Sequence, residues 1–454
     1  MENRDFRARL EATVLQPLTK TGAGYKALVV FLFLVVGLGV YAYTTQLREG
    51  LIVTGMRDQV LWGLYITNFV FFICISHAGT LISAILRVTH AAWRTPVTRL
   101  AEVITVVALM VGALMPFIDM GRPDRVVNLI RYGRFQSPLV WDILAITTYL
   151  TGSLIYLYLP MIPDIATMRD RLGPTASSLK RRLYSFLAVG WRGTPIQRQR
   201  LEKAIGIMAI VIIPVAVSVH TVVSWIFAMT LRPGWNSTVF GPYFVVGAIF
   251  SGIASILIVM VIFRRIFHLE EYLTQRHFVL LGYLLLVLNL LYIYFTFSEY
   301  LTVAYKLQIE DKKLLTLLFV GSQAPLFWGF VVGGLVVPAL LVALPRTRNI
   351  PGIIVAAVLV NIGMWIKRFV IVVASLQVPL MPYDFGHYAP TWVEWSITAG
   401  AFAGFMLLFA LFAKVFPVVS LWEVAEEREH QPAPAPREVP APRPFPGKIG
   451  ESHA

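Results

Sequence analysis

Acidic and basic side chains interrupt several of the longest apolar stretches in this sequence. Asp119 closes one such stretch, Asp142 lies in the first turn of the next, and His220 lies within a third. Ionisable groups inside hydrocarbon cost free energy, so those that occur there usually bind a ligand or carry protons. A carboxylate or histidine in a low-dielectric pocket can have its pKa shifted towards neutral pH, which suits general acid–base catalysis. Asp119, Asp142 and His220 are therefore candidate catalytic proton acceptors.

Polar and aromatic residues near these three could hold a small flat ligand. A quinol headgroup is flat and apolar apart from its two oxygens, and its oxidation releases protons together with electrons. Such a ligand needs a hydrogen-bond partner at each oxygen, a group that takes protons, and rings on which it can stack. We therefore predict a quinone-binding site formed by Tyr65, Asn68, Phe72, Arg122, Trp141 and Asp142.

Each of these residues also has a purely structural interpretation. Asp119 and Arg122 could form an ion pair at a helix end, and Asp142 could cap its helix. His220 could be a hydrogen-bonded interior histidine, and the tyrosine and asparagine of the second apolar segment could join neighbouring helices. The quinone prediction rests on the cluster, because most intramembrane polar groups fall in the outer half of the second to fifth segments.

A second set of ionisable residues lies at stepped depths. His77 is expected in the inner half of the second segment, Glu299 closes the seventh segment on the outside, and Lys367 and Arg368 lie in the outer half of the ninth. We predict that these four residues contribute to a proton route between the pocket and the cytoplasm.

The composition predicts no metal centre in this chain. Its single cysteine, Cys74, cannot form a disulfide with a second one, nor hold a zinc ion or an iron–sulfur cluster. A membrane haem needs paired histidines at one depth, and the expected depths of His77 and His220 differ. Electrons taken from a quinol must therefore leave to another chain.

The elements that position these residues are predicted to be membrane helices. Hydrophobic residues make up 57% of the 454 residues and charged residues only 14%, which argues against a soluble enzyme or a nucleic-acid binder despite the net charge of +14. Apolar runs longer than about 18 residues indicate helices that cross a bilayer. We predict ten, at 27–46, 60–86, 99–118, 138–160, 204–229, 240–264, 277–302, 316–344, 350–374 and 391–416.

The charge distribution orients these helices. Most of the 39 Lys and Arg residues lie in the terminal segments and the even-numbered loops, which the positive-inside rule places in the cytoplasm. The basic loop at 161–203 fits a topology signal resting on anionic lipid. The chain then divides into a cytoplasmic N-terminal segment (1–26), a membrane domain (27–416) and a Pro/Ala-rich cytoplasmic tail (417–454) that we expect to be disordered.

Four arginines run against this charge rule. The outer loop at 119–137 carries Arg122, Arg125, Arg131 and Arg134 on the translocated side. We interpret them as contacts for an acidic partner or ligand, with random scatter as the alternative.

Several motifs resemble the NrfD-like family of quinone-interacting membrane subunits, also called the polysulfide reductase membrane-subunit family. They are SHAGTLISAILR at 76–87, IDMGRPDR at 118–125, FQSPLVWD at 135–142 and YLPMIPDIATMRDR at 158–171. The ten segments and the PYDFG run at 382–386 are most similar to the large NrfD-like subunits of Alternative Complex III. Asp119 stands where many members have histidine.

The resemblance implies an all-α fold of two four-helix bundles, 60–229 and 240–374, with flanking helices. It also implies menaquinol oxidation near the periplasmic face of a bacterial inner membrane, with electrons passed to an extrinsic iron–sulfur subunit. Implied partners are c-type cytochrome subunits or a molybdopterin subunit, and a second NrfD-like subunit. The competing hypotheses are a structural or proton-conducting subunit without a quinone site, and a transporter with helices broken at Pro214, Pro325 and Pro338.

Overall fold

A computed structural model describes residues 14, 15, 18, 21–89, 91, 93–171 and 177–430. The described part of the chain is helical and contains no strand. Ten of its helices are long and apolar enough to cross a membrane, which confirms the predicted fold class. They are α1 (Ala23–Glu49), α2 (Leu64–Val88), α3 (Thr95–Asp119), α4 (Pro138–Arg171), α5 (Pro195–Ala228), α6 (Phe240–Ile266), α7 (Gln275–Lys306), α8 (Ala324–Ala343), α9 (Ile350–Gln377) and α10 (Trp392–Val415).

Several helix boundaries differ from the hydropathy pattern. The fourth helix continues eleven residues beyond the predicted 160, and the fifth begins nine residues before the predicted 204. Both extensions are polar helix that projects past the apolar stretch. The eighth predicted segment, 316–344, is divided into a separate helix Ile309–Phe319 and α8. Gly321 and Pro325 explain the break, because glycine is a poor helix former and proline lacks the N–H that would continue the ladder.

Helix α2 lies at the centre of the molecule. Almost all of its apolar stretch is buried, and it packs against α3, α5, α6 and α9. Helices α2 to α5 contact one another in sequence, and α6 packs against α7 and α9, with α8 against α9. A helix that is apolar on every side, with small polar residues between, suits such an interior position.

The first and last membrane helices pair with each other. Helix α1 packs along α10 and turns most of its surface outwards. A Cβ built on Gly39 would lie 3.1 Å from the Cα of Gly400, so two glycines let these backbones approach closely.

One stretch of α8 and one stretch of α9 depart from α-helical geometry. Residues Gly329–Val336 and Val370–Ala374 form π-helical turns, a feature often found at functional sites. Gly334 faces Gly363 so closely that a Cβ on either glycine would meet the other backbone. The two helices therefore pack backbone to backbone.

A short helix follows α10. Residues Leu421–His430 form a helix whose first residues are buried against α3 and α4. The prediction of an unpacked tail from 417 is therefore wrong for 417–425, because Leu421, Val424 and Ala425 bury apolar surface there. The rest of the predicted tail, 431–454, lies outside the described residues. So does most of the predicted N-terminal segment, 1–26.

Candidate functional site

The helices bring polar side chains together near both ends of the membrane domain. We call the surface where α3 ends and α4 begins the near face. We call the opposite surface, where α4 ends and α5 begins, the far face. Asp119 and Asp142 lie at the near face, as the predicted segments required.

A carboxyl cluster, defined as Gln46, Tyr65, Asp119, Tyr388 and Glu394, lies at the near face. The Tyr65 hydroxyl donates to the Gln46 side-chain oxygen at 2.7 Å, and the Gln46 amide donates to the Ile118 carbonyl at 2.7 Å. One carboxylate oxygen of Asp119 is buried and has no hydrogen-bond partner. A buried acceptor without a partner is costly, so this oxygen marks a place where a ligand donor or a proton fits.

Glu394 supplies the second carboxyl group of this cluster. It is fully buried and accepts hydrogen bonds from the backbone N–H groups of Gly55 (2.6 Å) and Thr391 (3.0 Å), and from the Tyr388 hydroxyl (2.5 Å). The Tyr388 oxygen in turn accepts from the Leu64 N–H. Burial, together with the neighbouring carboxylate, raises the pKa of the Tyr388 phenol, so the hydroxyl remains a donor. The Asp119 carboxyl group lies close enough to Glu394 and Tyr65 to interact with both electrostatically.

The remaining predicted residues on α2 face α9 and α10. The Asn68 amide donates to Thr398 at 2.8 Å and accepts from the indole N–H of Trp365 at 2.9 Å. Phe72 packs against Phe402 and Phe405, with ring centroids 5.0 and 5.9 Å apart. Tyr65, Asn68 and Phe72 therefore share one stripe of α2, and Asn68 also joins three helices.

The other predicted residues lie at the start of α4 and in the loop before it. Asp142 is 9% exposed, and one of its carboxylate oxygens is buried without a hydrogen-bond partner. The Trp141 indole donates to the Phe135 carbonyl. Arg122 is exposed and forms a bidentate pair with Asp124, whose pKa it lowers. The alternative of an Asp119–Arg122 ion pair is therefore wrong, because Arg122 turns to its neighbour in the loop.

His77 and His220 form a buried pair with ring centroids 3.9 Å apart. The His220 ring nitrogens lie 3.0 Å from the Ile73 carbonyl and 3.4 Å from the Ala216 carbonyl, whereas neither nitrogen of His77 has a hydrogen-bond partner. The sequence prediction places these residues in different halves of the membrane, and this is wrong. Each depth is counted from a helix end, and the ends of α2 and α5 do not lie at one level.

Arg368 lies next to this pair in the protein interior. Its guanidinium stacks over Phe244 at 4.5 Å and lies beside Cys74 and Tyr292. Two of its nitrogens, Nε and one Nη, are buried without a hydrogen-bond partner, and so is the Tyr292 hydroxyl. Unpaired donors in a low-dielectric interior are rare and indicate either bound water or a functional site.

Lys367 and Glu299 line one small cavity, which we call the lysine pocket. The Lys367 ammonium donates to the Tyr300 hydroxyl at 2.8 Å and lies over the rings of Tyr243 and Tyr300. Glu299 accepts from Ser237 at 2.7 Å, and its other carboxylate oxygen has no partner. The cavity has a volume of about 20 Å³, which is enough for one water molecule.

Sequence reasoning missed a buried ion pair near the far face. Arg99 and Asp164 are 1% and 0% exposed, and their side chains meet at 2.5 Å. Asp164 also accepts from the backbone N–H groups of Leu421 and Trp422. Arg99 falls at the boundary of a predicted segment and Asp164 in a predicted loop, so hydropathy identifies neither as an intramembrane charge.

Two more buried acids were also missed. Glu102 accepts from Ser83 at 2.6 Å, and Ser83 lies 3.2 Å from the Tyr156 hydroxyl. Glu394 carries a detectable signal in the sequence, since Thr391 and Glu394 have the spacing of a capping box, and the Thr391 N–H donates to the Glu394 carboxylate. Within the described ranges, no group of three or more His, Cys, Asp or Glu side chains is arranged to hold a metal ion.

Comparison with known proteins gives a family match over most of the chain. Residues 52–379 match the family described as polysulphide reductase, NrfD. A protein of Halobacterium salinarum, named as a membrane subunit of a dimethyl sulfoxide reductase, is 31% identical over 79% of this chain and 77% of its own length. The Hdr-like menaquinol oxidoreductase integral membrane subunit of Archaeoglobus fulgidus is 24% identical over 89% and 96% of the two chains. The menaquinone reductase integral membrane subunit of Nitratidesulfovibrio vulgaris is 25% identical over 86% and 90%.

Proposed function

Because this chain belongs to the NrfD polysulphide reductase family, we propose that it is the quinone-interacting membrane subunit of an electron-transfer complex. In this proposal menaquinol binds at the near face and is oxidised there to menaquinone. Its two protons pass to carboxyl and histidine side chains of this chain, and its two electrons pass to an iron–sulfur cluster of an extrinsic partner subunit. The names of the menaquinol- and menaquinone-linked relatives support the choice of substrate.

The single observation that carries this proposal is the unpartnered oxygen of Asp119 within the carboxyl cluster. A quinol hydroxyl can donate to this oxygen, and the Asp119 carboxylate can then take the proton. The neighbouring Glu394 is already held by three donors, which leaves Asp119 as the free acceptor of the two. Asp142, the second near-face acid with a buried unpartnered oxygen, is the candidate acceptor on the α4 side.

The near-face loop is the proposed docking surface for the iron–sulfur subunit. Arg122, Arg125, Arg131 and Arg134 are all exposed there, together with Ile130, which is 80% exposed. Positive charge beside exposed apolar surface suits an acidic protein partner. In the orientation predicted by the charge rule, this face is periplasmic and both termini are cytoplasmic, in a bacterial inner membrane.

Proton translocation is a further part of the proposal. His77, Arg368, Lys367 and Glu299 all have buried polar atoms, and unpartnered nitrogens or oxygens occur on three of them. Water molecules at these atoms would connect the histidine pair with the lysine pocket. Replacing His77 and Glu299, as His77→Phe and Glu299→Gln, is expected to lower the number of protons released per electron. An unchanged ratio would remove the proton route from the proposal.

Quinone content of the purified protein tests the substrate. We expect the wild-type chain, purified in mild detergent, to retain menaquinone, and Asp119→Asn and Asp142→Asn to lose most of it. Asp124→Asn is the matched control, because Asp124 is an exposed acid of the same near-face loop. Retention of quinone in all three variants would contradict the site, and its absence from the wild-type chain and its complex would contradict the substrate.

The similarity to a dimethyl sulfoxide reductase membrane subunit favours one alternative. In this alternative the chain anchors a molybdopterin oxidoreductase to the membrane. The quinone chemistry stays the same, and the substrate at the other end of the electron-transfer chain is that of the molybdopterin subunit. Mass spectrometry of the subunits that purify with a tagged chain separates the two. An iron–sulfur subunit with c-type cytochromes and a second NrfD-like chain supports membership of Alternative Complex III, and a molybdopterin subunit supports the anchor. A complex without any redox subunit would leave a structural or proton-conducting role.

A further inference from the structure

A cavity of about 240 Å³ opens at the far face, on the other side of the molecule from the carboxyl cluster. It lies between the end of α4, the start of α5 and the helix Leu421–His430. Its volume is below the 300–1,000 Å³ that is typical of sites for drug-sized molecules. The cavity therefore fits a small headgroup better than a whole quinone.

The charges around this cavity are mixed. Arg169 and Asp170 pair with each other in bidentate fashion, and Arg169 also donates to a backbone carbonyl. Arg192, Arg198 and Glu202 line the same cavity, and none of these three has an ion-pair partner within the described residues. Two guanidinium groups beside one carboxylate complement a ligand that carries a phosphate and an ammonium group.

Two tryptophans line the cavity beside these charges. The Trp422 indole donates to the Pro160 carbonyl at 2.8 Å, which fixes the ring, and the carbonyl of Trp191 accepts from Arg169. Tryptophan is enriched where a protein meets the headgroup layer of a bilayer. An indole face also attracts an alkylammonium group.

The neighbouring helix Ser178–Leu187 indicates the depth of the cavity. Leu179 and Phe186 are 76% and 80% exposed, and Leu183 lies between them on the same side. Basic residues occupy positions 180–182. A helix with an exposed apolar side and adjacent basic residues lies in the plane of the membrane interface, with its apolar side among the acyl chains. The cavity is thus level with phospholipid headgroups.

We propose that this far-face cavity binds the headgroup of a phosphoethanolamine phospholipid, with Arg192 and Arg198 on the phosphate and Glu202 on the ammonium group. A purely anionic headgroup would leave Glu202 facing negative charge. The lipid would join the ends of α4 and α5 to the C-terminal helix. The proposal does not depend on quinone chemistry at the near face.

Native mass spectrometry of the purified full-length chain, with whatever subunits accompany it, tests the site. The protein is delipidated in detergent and then titrated with phosphatidylethanolamine or phosphatidylglycerol of the same acyl chains, and with inorganic phosphate. The variants are Arg192→Gln/Arg198→Gln and Glu202→Gln. Arg346→Gln is the control, because Arg346 is an exposed arginine at the same face outside the cavity.

We expect the wild-type chain to bind phosphatidylethanolamine more tightly than phosphatidylglycerol. The double arginine variant should lose binding of both lipids. Glu202→Gln should lower the ratio of the affinity for phosphatidylethanolamine to that for phosphatidylglycerol about two- to fivefold, which is the range for an exposed ion pair. Arg346→Gln should bind both lipids as the wild-type chain does. If the double variant fails to fold, the two single variants Arg198→Gln and Glu202→Gln test the proposal, and Arg198→Gln should weaken the binding of both lipids.

Three outcomes would overturn the proposal. One is tighter binding of phosphatidylglycerol by the wild-type chain. Another is a lipid preference that Glu202→Gln leaves unchanged. The third is binding of inorganic phosphate that displaces both lipids, which would indicate a free-anion site.

Discussion

The buried Arg99–Asp164 pair is the interaction whose loss we expect to destabilise the protein most clearly. Both side chains are excluded from solvent and meet at 2.5 Å. Replacing Asp164 with alanine leaves the Arg99 guanidinium buried with its Pro160 carbonyl and Ser420 hydroxyl contacts alone. Removing one partner of a buried pair costs about 3–5 kcal/mol. The Asp164→Ala variant should therefore lose at least about 3 kcal/mol of unfolding free energy.

A second variant separates the charge from the hydrogen bonds. In Arg99→Met/Asp164→Asn no buried charge remains, and the asparagine oxygen can still accept from one of the two backbone N–H groups at Leu421 and Trp422. One buried N–H left without an acceptor costs about 1–3 kcal/mol. The double variant should thus be more stable than Asp164→Ala although it carries two substitutions.

Reversible unfolding in detergent micelles titrated with sodium dodecyl sulfate measures these differences. Asp124→Ala is the control, because Asp124 also pairs with an arginine but is 61% exposed, and its removal should leave the midpoint unchanged. An unfolding midpoint of Asp164→Ala equal to that of this control would show that the ion pair does not stabilise the protein. A double variant as unstable as Asp164→Ala would show that the unpaired buried charge is not the cause of the destabilisation.

Three further substitutions follow from close contacts and buried hydrogen bonds. Gly79→Ala should destabilise the protein by about 1–3 kcal/mol, because its Cβ would lie 2.0 Å from a carbonyl oxygen of α3, whereas Gly37→Ala, with nothing within 4 Å, should be neutral in the same unfolding assay. Tyr184→Phe removes the hydrogen bond from the helix Ser178–Leu187 to the Val415 carbonyl of α10. It should lower the free energy of unfolding by about 1 kcal/mol and speed proteolysis of the segment between α4 and α5. Asn68→Leu removes the acceptor of the Trp365 indole, and should shift the tryptophan emission spectrum; an unchanged spectrum would mean that the indole has another partner.

The number and type of helices were predictable from the sequence because each apolar run is long enough to cross a bilayer. Hydropathy detects the hydrocarbon-spanning part of a helix and not its polar extensions. This is why α4 continues to Arg171 and α5 starts at Pro195, both well outside the predicted 138–160 and 204–229. These extensions are the walls of the far-face cavity, which the sequence did not predict.

The candidate site was predictable in part. Asp119, Asp142 and His220 can be identified as buried ionisable groups from sequence position alone, and buried atoms occur on all three. Which residues meet across helices was not predictable, because contacts such as Asn68 with Thr398 join positions 330 residues apart. Their roles in quinone binding stay predictions.

Depth arithmetic failed for the histidine pair for a related reason. The rise per residue gives a position along one helix axis, but tilt and unequal helix ends decide which positions of two helices are level. His77 and His220 are therefore in contact although the counted depths put them in opposite halves. The capping-box spacing before Glu394 shows that local signals could have identified one buried acid that hydropathy did not.

The pairing of α1 with α10 has a consequence for how the chain is made. About 340 residues separate the end of α1 from the beginning of α10. At a synthesis rate of about 5–20 residues per second, the ribosome needs about 20–70 s to supply the partner helix. During that time the α10-facing side of α1, including Gly39, has only lipid or the insertion machinery beside it. Helix α1 thus enters the bilayer well before its partner α10, and a chain truncated before α10 would leave this side of α1 unpaired.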